Sequence, residues 1–231
     1  MRVLRRIGIS VLLILSLAAG LCFGQHTADQ IYAKGMEYAA EGKFEEAKEK
    51  FEKALKVDPF YISAKMALKI IEDGNKQKIK GKTVIYIFEG IAHSNKKRWD
   101  EAIDEYNKGI EINPKYPEAY NTRGAAYDDK GEYDKAISDY TKAIEINPSF
   151  ADAYQNRGIA YDDKGQCDKA ISDYTKAIEI NPGDAGAYYN RGFTYIVNLG
   201  DKEKGCPDLQ RACELGECRN YELAKGEGLC E

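Results

Sequence analysis

Residues 134–148 and residues 168–182 spell the same fifteen letters, DKAISDYTKAIEINP, at an offset of 34. No other feature restricts the fold so tightly. A unit repeated at a fixed period of this length marks a stacked architecture, because one unit cannot bury its apolar face alone and a neighbour of the same shape can cover it. The period runs beyond those letters. AYNTRGAAYDDKGEYDKAISDYTKAIEINP begins at Ala119, AYQNRGIAYDDKGQCDKAISDYTKAIEINP at Ala153, and AYYNRGFTY at Ala187, 34 residues apart each time. Fainter copies begin at Gly35 and Gly90.

Within one unit, Tyr120, Gly124 and Tyr127 recur at spacings of 4 and 3, and so do Ala136, Tyr140 and Ala143. Each set is one apolar stripe on a helix. Gly131 breaks the two helices apart, and Asn147-Pro148 ends the second, since the residue before proline disfavours the helical region. Small residues at Gly124, Ala136 and Ala143 let the two helices approach closely.

These positions resemble the tetratricopeptide repeat family. The small residue of the first helix is Gly35, Gly90, Gly124, Gly158 and Gly192. The aromatic three beyond it is Tyr38, Tyr127, Tyr161 and Tyr195, with His93 departing. The second helix supplies Ala47, Ala102, Ala136 and Ala170, then Phe51, Tyr106, Tyr140 and Tyr174, and the units close on Pro59, Pro114, Pro148 and Pro182. The resemblance spans 28–61 and 83 to about 216. It implies an all-α fold, an α-solenoid of stacked antiparallel helix pairs. The expected units are 28–61, 83–116, 117–150, 151–184 and a divergent 185–216. A helix and basic linker occupy 62–82, with Ile62, Met66 and Ile70 on one face, and a cap occupies 217–231.

The resemblance also implies a groove, lined by the first helices, that holds a protein or peptide. Its residues would be Glu118, Asn121, Asp128 and Asp129, then Asp152, Gln155, Asn156, Asp162 and Asp163, then Tyr189, Asn190 and Phe193. The middle is acidic and the last part aromatic, so the expected partner is basic or amide-rich. Relatives that clamp a C-terminal carboxylate use Lys and Arg at these places, and here they are acidic or amide.

Two further columns vary together. Arg123, Arg157 and Arg191 face Asp139, Asp173 and Asp208 at the matching place of the second helix. In the first two units Lys34 and Glu89 replace the Arg, while Lys50 and Glu105 replace the Asp. Residues that appear and vanish together predict an ion pair between the two helices of each unit.

The last unit drifts. Leu199-Gly200 adds one residue, Gly205 replaces the usual Ala, and Pro207 stands early in the second helix, where proline is tolerated. CRNYELAKGEGLCE then forms a final short helix. Four cysteines here allow three pairings. Cys206 and Cys213 lie seven apart on one helix, about 10 Å at 1.5 Å per residue, too far for a bridge. Two pairings remain, and antiparallel helices joined by a tight turn favour Cys213–Cys218 with Cys206–Cys230. Cys167 falls in the packing column of Phe44, Trp99 and Tyr133 and is expected as a free, mostly buried thiol.

The first 24 residues differ from the rest. A basic start, MRVLRR, precedes an apolar run from Ile7 to about Ala19 and then small residues, the pattern of a secretory signal peptide. Cleavage would follow Gly20 or Gly24. A lipid anchor at Cys22 and an uncleaved anchor are the alternatives. Export, to the periplasm or the medium, would permit structural disulfides. Removing 1–24 takes away three arginines and no acid, so the formal charge of −4 becomes −7. Such a chain has no basic footprint for nucleic acid.

Catalytic patterns are thin. Ser94-Asn95-Lys96-Lys97 matches S-x-x-K without its companion motifs. There is no H-E-x-x-H and no C-x-x-C, so neither a metal nor a cofactor is expected. Asp128-Asp129 and Asp162-Asp163 are adjacent pairs that point apart on a helix. The expected function is a non-enzymatic adaptor. Alternatives are a structural subunit of an envelope complex and, from the short resemblance of ACELGEC (212–218) to the Sel1-like group, a β-lactam-interacting protein.

Overall fold

The structure is a computed structural model and describes residues 27–58, 61–75, 81–226, 228 and 230. Residues 1–24 with Cys22, expected as a signal peptide, the closing Pro59 and the middle of the basic linker, 76–80, lie outside them. The described residues are helical, with no strand among them.

Twelve helices follow in order: α1 (27–40), α2 (Phe44–Val57), α3 (Ile62–Asn75), α4 (Gly81–Ser94), α5 (Trp99–Ile112), α6 (Pro117–Asp129), α7 (Tyr133–Ile146), α8 (Ala151–Asp163), α9 (Cys167–Ile180), α10 (Ala185–Phe193), α11 (Lys202–Glu214) and α12 (Arg219–Gly226). The chain forms two compact units, one ending at Ala92 and one beginning at His93. The division falls inside α4, because residues 81–94 are one continuous helix.

In the first unit α2 packs on α3, and the core is built from aromatic contacts. Tyr32 lies 5.4 Å from Phe51 and 5.1 Å from Tyr61, and Phe51 stacks on Phe88 at 6.0 Å. The face of α3 that is buried carries Ala64, Ala67, Ile70 and Ile71. Met66 is only half-buried, so the inward stripe is rotated from the expected Met66–Ile70 line.

In the second unit the helices pair as α6 with α7, α8 with α9 and α10 with α11, and each pair packs on the next. Close approach depends on one glycine per pair. A Cβ at Gly124 would lie 2.8 Å from the Tyr140 ring, and one at Gly158 would lie 2.6 Å from the Tyr174 ring. Both rings are almost fully buried. The alanines Ala136, Ala143, Ala153, Ala170, Ala177 and Ala187 have no exposed surface at all.

The turn between helices of a pair needs a positive φ, held by Gly131 at 76°, Gly165 at 69° and Gly200 at 69°. At the same turn after α4 stands Lys97, with φ 56°. A side chain in this left-handed region costs about 1–2 kcal/mol against an ordinary helical residue.

The turn glycines also locate the extra residue of the last unit. Gly192 lies 34 after Gly158, but Gly200 lies 35 after Gly165. The insertion therefore precedes the turn. The structure absorbs it within the helix, as a π-helical stretch from Thr194 to Asn198 that continues α10, rather than as a longer turn at Leu199-Gly200.

The last unit is closed by two disulfides. Cys206 is bonded to Cys230, with Cα atoms 5.6 Å apart, and Cys213 to Cys218 across the Gly216 turn. They hold α12 on α11 over a small core of Ile196, Leu209, Ala224 and Cys230, against which Tyr189 and Tyr221 pack. Cys167 is the one free cysteine among the described residues and is half-buried, not mostly buried. Its column partners Phe44, Trp99 and Tyr133 are half-buried too, so this corner of every unit is partly open. Burial, together with the Asp162 charge, pushes its thiol above the usual range.

Candidate functional site: the first helices of the stack

Arg157 on α8 reaches Asp173 on α9 with two parallel bonds: Nε donates to Oδ2 and Nη2 to Oδ1, both at 2.8 Å. Arg123 grips Asp139 in the same way at 2.7 and 2.6 Å, and Arg191 grips Asp208 at 2.7 and 2.9 Å. All three aspartates are more than nine-tenths buried. The bidentate fork is the strong form of this contact. The third nitrogen does something the sequence did not suggest. Nη1 of Arg123 donates to Asn107 Oδ1 at 2.6 Å, that of Arg157 to Thr141 Oγ1 at 3.0 Å, and that of Arg191 to Thr175 Oγ1 at 2.9 Å. Each arginine thus ties its own two helices together and also ties them to the preceding unit. The signal was present as a column, Asn107, Thr141 and Thr175, spaced by 34.

The arginines are also flanked by rings. Arg123 lies 5.6 Å from the Tyr120 ring and 6.0 Å from Tyr127, and Arg157 stands at the same distances from Tyr154 and Tyr161. With all three nitrogens and the π-face engaged, they belong to the frame of the stack.

The expected partner-facing residues divide into two groups. Glu118 and Asn121 are buried, 8% and 3% exposed. Asn121 accepts a bond from Asn156 Nδ2 at 3.1 Å, which joins α6 to α8. Asn156 and Asn190 are half-buried. The Asn121–Asn156 bond serves the packing of one first helix on the next. Asp129, Asp152 and Asp163 are exposed, Gln155 and Tyr189 are half-buried, and Phe193 is 41% exposed.

Asp128 and Asp162 occupy the same place in identical YDDKG segments, yet their surroundings differ. Asp162 is fully used: Thr194 Oγ1 donates to its Oδ2 at 2.6 Å and Asn198 Nδ2 to its Oδ1 at 3.0 Å. One unit earlier, the residue matching Thr194 is Ala160, which has no hydroxyl to offer. Counted back from the turn glycine, Asn198 matches Asp163, whose charge repels Asp128 instead of donating to it. Asp128 Oδ1 is consequently buried with no hydrogen-bond partner. Burial, then the charges of Asp163 and Asp129, push its carboxyl up to about 6. Burial also raises Asp129, against the opposing pull of Lys97.

Among the described residues no helix is long and apolar enough to cross a membrane, and no cluster of three or more ligating side chains could hold a metal ion.

Family models of the tetratricopeptide repeat match residues 117–150 and 151–184, 173–207 and 28–61, and a TPR repeat model matches 95–131. Together they span more than half of the chain. Among solved structures, MamA is 27% identical, covering 83% of this chain and 96% of its own, with a TM-score of 0.54. A second MamA structure is 26% identical over 87% and 94%, with a TM-score of 0.53. The Sgt2 TPR domain from Aspergillus fumigatus is 26% identical over 55% and 85%, with a TM-score of 0.51. No curated protein matches the chain.

Proposed function

Because the chain belongs to the tetratricopeptide repeat family, we propose that it is an exported, non-enzymatic adaptor. It holds a basic or amide-rich segment of a partner protein along the first helices of the second unit. The observation that carries this reading is Asp128. Its Oδ1 is buried without a donor, whereas the same oxygen of Asp162 is filled by the next unit. A lysine, arginine or amide meeting these carboxylates from outside would relieve the repulsion among Asp128, Asp129 and Asp163.

Export is supported by the basic-then-apolar order of residues 1–24 and by the two disulfides at the other end, which persist in oxidising compartments. The periplasm or the medium is the proposed location. Fractionation of cells producing the full chain, with mass determination of the mature N-terminus, tests this. Full-length chain retained in the cytoplasm with reduced cysteines overturns it.

The binding test reverses charge at Asp128 and Asp163. Asp162 is left intact, because its oxygens join two units. A partner captured from the envelope fraction by the wild-type chain should be lost by the Asp128→Lys, Asp163→Lys variant, and more weakly held at high salt. Equal capture by both proteins would move the partner to another face and leave only a structural role for these acids.

A further inference from the structure

We infer that the last three first helices carry a two-part docking strip for one extended peptide: Asp128 and Asp163 take a lysine or arginine side chain, and Phe193 with Val197 takes an apolar side chain further along the same segment. This rests on the groove reading above and names the partner's chemistry.

Four large apolar side chains are exposed among the described residues, and three of them, Phe193 at 41%, Val197 at 58% and Leu199 at 48%, fall within seven residues. Phe193 and Val197 are four apart and share a helix face. Tyr189, four residues earlier, has its ring 5.9 Å from Phe193 and is backed by the disulfide-held core of Ile196 and Leu209. The patch therefore has a fixed floor.

The acids adjoin this patch. Thr194 and Asn198, the immediate neighbours of Phe193 and Val197, are the two residues that bond Asp162. Asp163 follows Asp162 in the chain, and its charge acts on Asp128. An apolar patch bordered by carboxylates fits a segment that carries both an apolar and a cationic side chain. An acidic segment or an anionic lipid surface would meet repulsion there. Neighbouring helices pack about 9 Å apart and an extended chain advances about 3.3 Å per residue, so a cation held between Asp128 and Asp163, about one and a half helix spacings from Phe193, stands about four residues from the apolar anchor.

The test is fluorescence anisotropy with a labelled Ser/Gly peptide carrying a Lys-Lys pair and, about four residues away in either direction, Phe-Leu. Controls replace either pair by serine. The complete peptide should bind at least about tenfold more tightly than each control. Phe193→Ser and Val197→Ser, which alter only exposed side chains, should weaken the complete peptide about tenfold and leave the peptide lacking Phe-Leu unchanged. Asp128→Asn with Asp163→Asn should show the converse pattern.

Binding that depends on the acids but ignores Phe-Leu and Phe193 overturns the two-part strip while the groove reading stands. Failure of every peptide in the panel overturns both. A wild-type chain that sediments as a dimer and becomes monomeric on Phe193→Ser assigns the patch to a second copy, which also overturns the inference.

Discussion

The fourth unit and the fifth solve the same packing problem with different parts. In the fourth, Gly158 receives the ring of Tyr174. In the fifth, the tyrosine is replaced by Leu209, and Gly192 instead faces the backbone: a Cβ there would lie 2.9 Å from the Gly205 carbonyl oxygen. Gly205 stands where the other units carry alanine, so the substitution noted as drift is the second half of a helix-to-helix backbone contact. That closer contact comes with a π-helical stretch in α10 and with two disulfides behind it. The regular units draw their stability from repetition on both sides. The fifth unit has the fourth on one side and, on the other, α12 held by covalent links.

The largest expected effect tests the regular side of this contrast. Arg157→Ala leaves Asp173 buried and uncompensated, and should cost about 3 kcal/mol, somewhat under the loss for a fully buried pair. A double-mutant cycle between Arg157 and Asp173 should give strong coupling, and one between Arg157 and Thr141 a weaker, separate coupling. If the second is zero, the arginines do not join units and the contrast with the stapled end weakens.

Next in size is the stapled side. Cys206→Ser with Cys230→Ser should cost about 2 kcal/mol, and the loss should be local. Amide exchange should rise in 202–226 and stay unchanged in 117–180. Uniform loss of protection along the stack would show that the end is not a separate element.

A smaller effect separates two units that share the YDDKG segment. The carboxyl of Asp128 is raised in the folded chain, so the folded state holds a proton that the unfolded chain has released. Stability therefore falls as pH rises from about 4 to about 6 and stays lowered above that. Asp128→Asn should remove this slope and gain about 1 kcal/mol above the window, after allowance for solvent screening. Asp162→Asn should instead destabilise, since Thr194 and Asn198 lose their acceptor. Urea titrations at both ends of the window measure the difference, and equal behaviour of the two variants would refute the assignment of roles.

The smallest concerns the one turn that lacks glycine. Lys97→Gly should stabilise by about 0.5 kcal/mol, the relief of a left-handed side chain less the added freedom of glycine when unfolded. A fall in melting temperature would mean that Lys97 contributes more through Asp129 than its backbone costs.

The paired helices, the turn glycines and the Arg–Asp column were legible because each leaves a mark at a spacing of 34, and the chain supplies several copies to compare. What was hidden depends on events between copies. Nothing in YDDKG distinguishes Asp128 from Asp162; the distinction lies 32 residues on, in Thr194 against Ala160. Asn121 looked open because the first helix was judged alone, and Asn156 of the next first helix bonds it. The extra residue before Gly200 reads in the sequence as a longer turn at Leu199-Gly200, since a widened helical turn leaves the same mark as a lengthened loop.

The third guanidinium nitrogen of each arginine has a consequence for how such a chain changes length. Every regular unit carries a plug, the arginine of its first helix, and a socket, the threonine of its second, in the same register. A further copy of 151–184 inserted after Asp184 would find a socket waiting for its plug and would offer an identical one to Arg191. As far as the arginine contacts go, the array is thus open to lengthening by whole units. An insertion of any other length would leave an arginine facing the wrong residue.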